Sequence, residues 1–148
     1  MLVNNEDIIA QLPYEKPFLF VDTLDHVSDN GAEGTYTFLE NEYFYKGHFK
    51  NNPITPGVIL TECMAQIGVV CLGIYLIDGL TPEDRIALVS NQVQFYEPVL
   101  PGERVTVISE KEYFRFGKLK CKVKMVNANN TLVCKGTISG IIFKSDTH

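Results

Sequence analysis

Apolar and polar residues alternate strictly along "KLKCKVKM", residues 118–125. Leu119, Cys121, Val123 and Met125 fall on one side and Lys118, Lys120, Lys122 and Lys124 on the other. A period of two belongs to a β-strand with one packed and one wet face. Apolar runs bounded by turn residues place four strands near 86 to 97, 103 to 112, 116 to 126 and 131 to 143. Pro98, Pro101 and Gly102 separate the first two, Phe116 and Gly117 mark the next corner, and "NANN" marks the last. Upstream, "FLFVDTLDHVSDNGAEGTYTFLE" reads as a hairpin around Asp29, Asn30 and Gly31, because Asn-Gly readily supplies positive backbone angles.

Two stretches read as helix. In "NNEDIIAQLP" Asn5 is the expected cap, Glu6 and Asp7 suit the positive helix start, and Pro13 stops further winding. Residues 57–78 are apolar almost all round, interrupted mainly by Thr61, Glu62 and Gln66. At 1.5 Å per residue they make a helix of roughly 30 Å that has to be enclosed. That length would also suit a membrane span. An internal carboxylate, Gly68, Gly73 and the lack of basic flanks favour a core helix instead. The expected fold class is α+β: one long central helix with about six antiparallel strands curled around it. No linker, repeat or low-complexity tract interrupts residues 1–148, so one domain is expected.

Composition narrows the function. A net charge of -5 argues against a general nucleic-acid binder, leaving room only for a local basic strip. Cys63, Cys71, Cys121 and Cys134 form no CxxC pair and lie far from clustered histidines, so neither zinc nor dithiol chemistry is indicated. The start "MLVNNEDII" lacks a basic n-region and a long apolar stretch, which points to a reducing cytoplasm.

The candidate chemistry gathers in "GHFKNNPITPGVILTECMAQIG", residues 47–68. Pro53 and Pro56 stiffen the approach to the long helix, and Gly57 leaves its N–H open to a ligand. A carbonyl oxygen gaining negative charge at that positive helix start is stabilised, as in an oxyanion hole. Glu62 and Gln66 share one face a turn apart. An ionised carboxylate buried there needs a partner or a raised pKa, so Glu62 is either an acid catalyst or a group that fixes the helix start through a loop. Of three histidines, His26 sits in an expected strand and His148 at the chain end. His48, in a loop beside the helix start, is either structural or a neutral base. The lysine face of "KLKCKVKM" either keeps a strand soluble or receives an acidic partner such as an acyl carrier protein.

With those residues placed, the chain closely resembles the 3-hydroxyacyl-acyl-carrier-protein dehydratases of the hot-dog fold. "LPYEKPFLFVD" resembles the family's entry strand, "GHFKNNPITPGVILTECMAQ" its active-site loop and helix, and "VQFYEPVLPGERV" the "RFRRPVVPGD" strand and turn of relatives. The middle block sets His48, Pro56, Gly57, Glu62, Met64, Ala65 and Gln66 in one frame, nine residues from histidine to glycine and five on to glutamate. The resemblance implies a long helix wrapped by an antiparallel sheet, in homodimers whose sheets join, with a trimer of dimers as a higher form. It puts the active sites at the dimer interface, histidine from one chain and glutamate from the other, at the end of an acyl tunnel. The implied reaction dehydrates (3R)-3-hydroxyacyl thioesters on acyl carrier protein to trans-2-enoyl thioesters, with no cofactor and no metal. His48 would take the α-proton, the Gly57 amide hold the thioester oxygen, and Glu62 protonate or orient the departing hydroxyl; Pro56, Gln66 and Phe95 would contact the substrate.

The chain departs from the family pattern in two places. Tyr14 stands where relatives usually have histidine, and Gln92, Gln94, Tyr96 and Glu97 stand where relatives often carry basic residues. They bear on carrier docking and chain length, and so on whether the pathway is general fatty-acid synthesis or a polyene or polyketide branch. Two other readings stay open: a hot-dog acyl thioesterase, whose helix carboxylate activates water, and a noncatalytic acyl-binding partner of an active dehydratase.

Overall fold

The computed structural model describes residues 4–144. Helix α1, Asn5–Gln11, is capped one residue earlier than the sequence suggested: the Asn4 side chain accepts a hydrogen bond from the Asp7 N–H at 2.7 Å. Asn5 lies inside the helix, and its side-chain amide donates to the Leu24 carbonyl at 2.8 Å, tying α1 to the first strand. Strands β1, Thr23–Ser28, and β2, Gly31–Thr37, form the expected hairpin. Its turn works differently, since neither Asn30 nor Gly31 has a positive φ. Glycine is needed at 31 because an added Cβ would sit 2.1 Å from the Ser109 carbonyl oxygen of the neighbouring strand.

A single helix, α2, covers Gly57–Leu76. It is α-helical over Gly57–Ala65 and Cys71–Leu76, with a π-helical segment, Gln66–Val70, between. Within that wider turn Gly68 rests on the sheet, where an added Cβ would lie 3.0 Å from the Ser109 and Val123 side chains. The helix is long and apolar enough to cross a membrane, but 72% of its most apolar window is covered by the rest of the chain.

Four long strands follow: β3, Asp84–Phe95; β4, Arg104–Arg115; β5, Lys118–Asn127; and β6, Leu132–Lys144. The Phe116–Gly117 corner takes φ of 53° and 77°, as a tight hairpin turn with the strand twist requires. All six strands are antiparallel, in the order β1-β2-β4-β5-β6-β3. Register shifts in the β1–β2, β3–β6, β4–β5 and β5–β6 pairs mark bulges that bend the sheet around α2. Leu119, Cys121, Val123 and Met125 all face the helix and are at most 2% exposed. Phe20, Tyr36, Phe38 and Phe44 pack edge to face or tilted against one another. The α+β wrap read from the sequence is the architecture observed.

Candidate active site

The loop that delivers His48 is held at several points. After a 3-10 turn, Tyr43–Lys46, the Tyr45 hydroxyl meets the Thr55 hydroxyl at 2.6 Å, and the Thr55 N–H donates to the Val99 carbonyl at 2.9 Å. His48 and Ile54 clasp each other twice. The Ile54 N–H donates to the His48 carbonyl at 3.0 Å, and His48 Nδ1 lies 2.8 Å from the Ile54 carbonyl. A carbonyl only accepts, so in neutral His48 the proton sits on Nδ1 and the Nε2 lone pair is left free. Phe49 stacks on the ring, with centroids 3.8 Å apart, and fixes its plane.

Pro56, with φ -58° and ψ 139°, occupies the cap of α2, and its carbonyl accepts the Ile59 and Leu60 N–H groups at 2.9 and 3.1 Å. The Gly57 N–H has no acceptor among the described residues, as expected of a helix start without a side-chain cap. Phe95 is the ceiling of this site: an added Cβ on Gly57 would lie 3.2 Å from its ring. Phe95 lies over Gly57 and is not among the residues lining the cavity beside Glu62. Pro56 is buried at the helix start.

Gln66, the other polar residue of this helix face, is engaged with the protein itself. It is 0% exposed, and its amide is occupied by protein. Oε1 accepts the Phe20 N–H at 2.8 Å, while Nε2 donates to the Phe18 carbonyl at 3.0 Å and to Glu62 Oε2 at 2.9 Å. Gln66 thus locks the entry segment to α2 and holds one oxygen of Glu62, leaving Oε1 without a partner among the described residues. The i, i+4 spacing of the two residues predicted the shared face but not this clamp.

Glu62 opens into an apolar cavity of about 60 Å³ between α2 and the β3–β6 pair, walled by residues including Val69, Ile86, Leu88 and Ile138. Tyr14 joins that wall, which hydropathy did not reveal. Burial first, then the charge of Glu62 and the Cys71 thiol, push its phenol up to about 12. His48 is not among the residues that line this cavity. His26 is exposed on β1, and His148 lies outside the described residues. Among the described residues no three of His, Cys, Asp and Glu come together as a metal-binding group.

The model of the FabA-like domain matches residues 12–139. The chain belongs to the FabA-like family. Among curated members, the 3-hydroxyacyl-acyl-carrier-protein dehydratase FabZ of Rhizobium rhizogenes is 33% identical over 144 residues, 95% of this chain and 88% of that protein. The protein of the same name from Rhodospirillum rubrum is 32% identical over 142 residues, 94% and 87% of the two chains. Among solved structures, the dehydratase heterocomplex ApeI:P from Xenorhabdus doucetiae superposes with a TM-score of 0.77 at 14% identity, over 98% of this chain and 93% of that one. A thioesterase from Haemophilus influenzae gives 0.60 at 13% identity, over 85% and 82%. At such identities the two structures speak for the fold alone, which is the hot-dog fold; the family members are dehydratases, hydro-lyases by reaction class.

Proposed function

We propose that the protein removes water from (3R)-3-hydroxyacyl thioesters on acyl carrier protein, giving trans-2-enoyl thioesters. The observation that carries this reading is that two side chains are each held by one atom and offer the other. His48 is held at Nδ1 and presents Nε2; Glu62 is held at Oε2 and presents Oε1. Nε2 takes the α-proton, and the Gly57 N–H, at the positive end of α2, stabilises the charge that develops on the thioester oxygen. The C3–O bond then breaks, and the hydroxyl leaves as water with a proton delivered at Glu62 Oε1. Net transfer of one proton from imidazolium to carboxylate restores the starting forms. The acyl chain occupies the apolar cavity beyond Glu62.

Two copies complete the site. β3 lies at the edge of the sheet with no strand on its outer side among the described residues, and it exposes Leu88, Val89 and Phe95. Such an edge invites pairing. Antiparallel pairing of two β3 edges continues the sheet through a homodimer and supplies the partner's His48 to the cavity of Glu62, with dimers able to assemble further. A cytoplasmic setting suits four free, buried cysteines. The same fold in a heterocomplex and in thioesterases makes two checks necessary.

The test is hydration of trans-2-enoyl thioesters, followed as loss of enoyl absorbance. His48→Ala should abolish turnover while leaving thermal unfolding unchanged, and an unaffected rate rejects the base assignment. Release of free thiol from acyl thioesters would convert the reading to a thioesterase, and tight binding without turnover to a noncatalytic partner.

A further inference from the structure

We propose that the Tyr14 hydroxyl binds the substrate's 3-hydroxyl oxygen together with Glu62 and holds it as it leaves. The inference rests on the dehydratase reading above and assigns a second polar group to the same reaction. Its basis is the content of the cavity. Apart from Glu62, Tyr14 is the only residue of the lining with a polar side chain; every other wall is aliphatic or glycine. Pro13 ends the segment after α1, and the next residue packs half-buried against the core on the cavity wall.

The other two phenols of the interior both have partners: Tyr36 donates to Glu42 at 2.5 Å, and Tyr45 meets Thr55 at 2.6 Å. Tyr14 makes no hydrogen bond to any described residue, Glu62 included. No sealed side-chain oxygen or nitrogen among the described residues lacks a partner, so this hydroxyl is not walled in and remains reachable. A reachable donor on an otherwise apolar lining is free to pair with an acceptor that enters the cavity. Burial and the neighbouring carboxylate keep the phenol protonated, so it acts as a donor at any pH where the protein works. Its ligand is therefore an acceptor that sits near Glu62. Of the oxygens on the substrate's acyl group, the thioester carbonyl is taken by Gly57, and the 3-hydroxyl remains. Donation from Tyr14 also stabilises the charge that builds on that oxygen as the C3–O bond stretches.

Tyr14→Phe deletes only the hydroxyl and preserves the ring. On a His48→Ala background, which stops turnover, calorimetric titration with the N-acetylcysteamine thioesters of (3R)-3-hydroxybutanoate and of butanoate isolates the contact. The variant should bind the hydroxylated ligand roughly tenfold more weakly and the saturated one within about twofold of its parent. In the otherwise unaltered chain, kcat for dehydration should fall at least about tenfold with a smaller change in KM. Equal effects on both ligands, or none, overturn the assignment to Tyr14 while wild-type turnover keeps the dehydratase reading standing. Absence of turnover in the wild-type chain overturns both.

Discussion

Replacing Gln66 by leucine removes three hydrogen bonds at once while changing side-chain volume little. The three losses differ in cost. The Phe20 N–H belongs to a residue with 0% exposure and loses its acceptor outright, which costs about 1–3 kcal/mol. Phe18 is 40% exposed, so water takes over at its carbonyl, and Glu62 opens to the cavity, where water also reaches it. Those two losses add at most about 1 kcal/mol, and the extra apolar burial of leucine offsets a similar amount.

The net destabilisation is thus about 1–3 kcal/mol, a fall in melting temperature of roughly 2–12 °C for a chain of this size. Activity should suffer more than stability, because the carboxyl loses the 2.9 Å bond that fixes its rotamer. A drop in kcat of about ten- to a hundredfold, with KM changed less, is expected for a misaligned acid. Gln66→Glu is the matching control: it keeps an acceptor for the Phe20 N–H but sets a second carboxyl against Glu62, so it should fold and yet be a poorer enzyme still. Thermal unfolding followed by circular dichroism, together with enoyl hydration rates, reads both effects. A leucine variant within about 0.5 kcal/mol and twofold of wild type would refute the clamp.

Further predictions test other parts of the reasoning. Gly57→Ala places a methyl 3.2 Å from a half-exposed Phe95 ring that is free to swing, so unfolding should move little while turnover falls about tenfold; an unchanged rate would mean the Gly57 amide does not serve the substrate. Mixing His48→Ala and Glu62→Gln chains after unfolding and refolding should restore about a quarter of wild-type activity if sites are shared across a two-fold, since half of the dimers are hybrids with one intact site of two; Val89→Lys on the exposed β3 edge should shift the protein toward monomer in sedimentation and silence it. Burial raises the Cys71, Cys121 and Cys134 thiols from 9.0 to about 12 and also pushes the Cys63 thiol well up, so none should react with iodoacetamide near pH 8 until the chain unfolds. Because the folded values are the higher ones, the stability from these thiols is complete below about pH 9 and is lost as pH climbs toward 12, and urea midpoints should fall across that window.

The sheet was legible because five of its six strands have both neighbours or a covering helix, and one dry face imposes alternation, as in "KLKCKVKM". Errors fell where a residue's reason lies across the fold rather than along it. Gly31 looked like turn chemistry, yet it is required by the Ser109 carbonyl, seventy-eight positions downstream. Asn5 looked like a cap because Asn4 offers the same side chain one place earlier, and only the reach of Asn5 to Leu24 separates their roles.

The site divides the same way. Residue types and the frame from His48 to Glu62 were readable, since an imidazole beside a glycine helix start and a carboxyl on an apolar helix are each unusual locally. What makes them usable was not. A proton on Nδ1 depends on a backbone carbonyl at Ile54, and a free Oε1 depends on Gln66, whose own geometry depends on the segment from Phe18 to Phe20. Reactivity at both groups is therefore set by backbone atoms, which carry no sequence signature. On the proposed mechanism, a substitution that preserved both His48 and Glu62 but shifted the Ile54 carbonyl would free the imidazole to take the wrong tautomer and place its proton where the substrate's proton has to go.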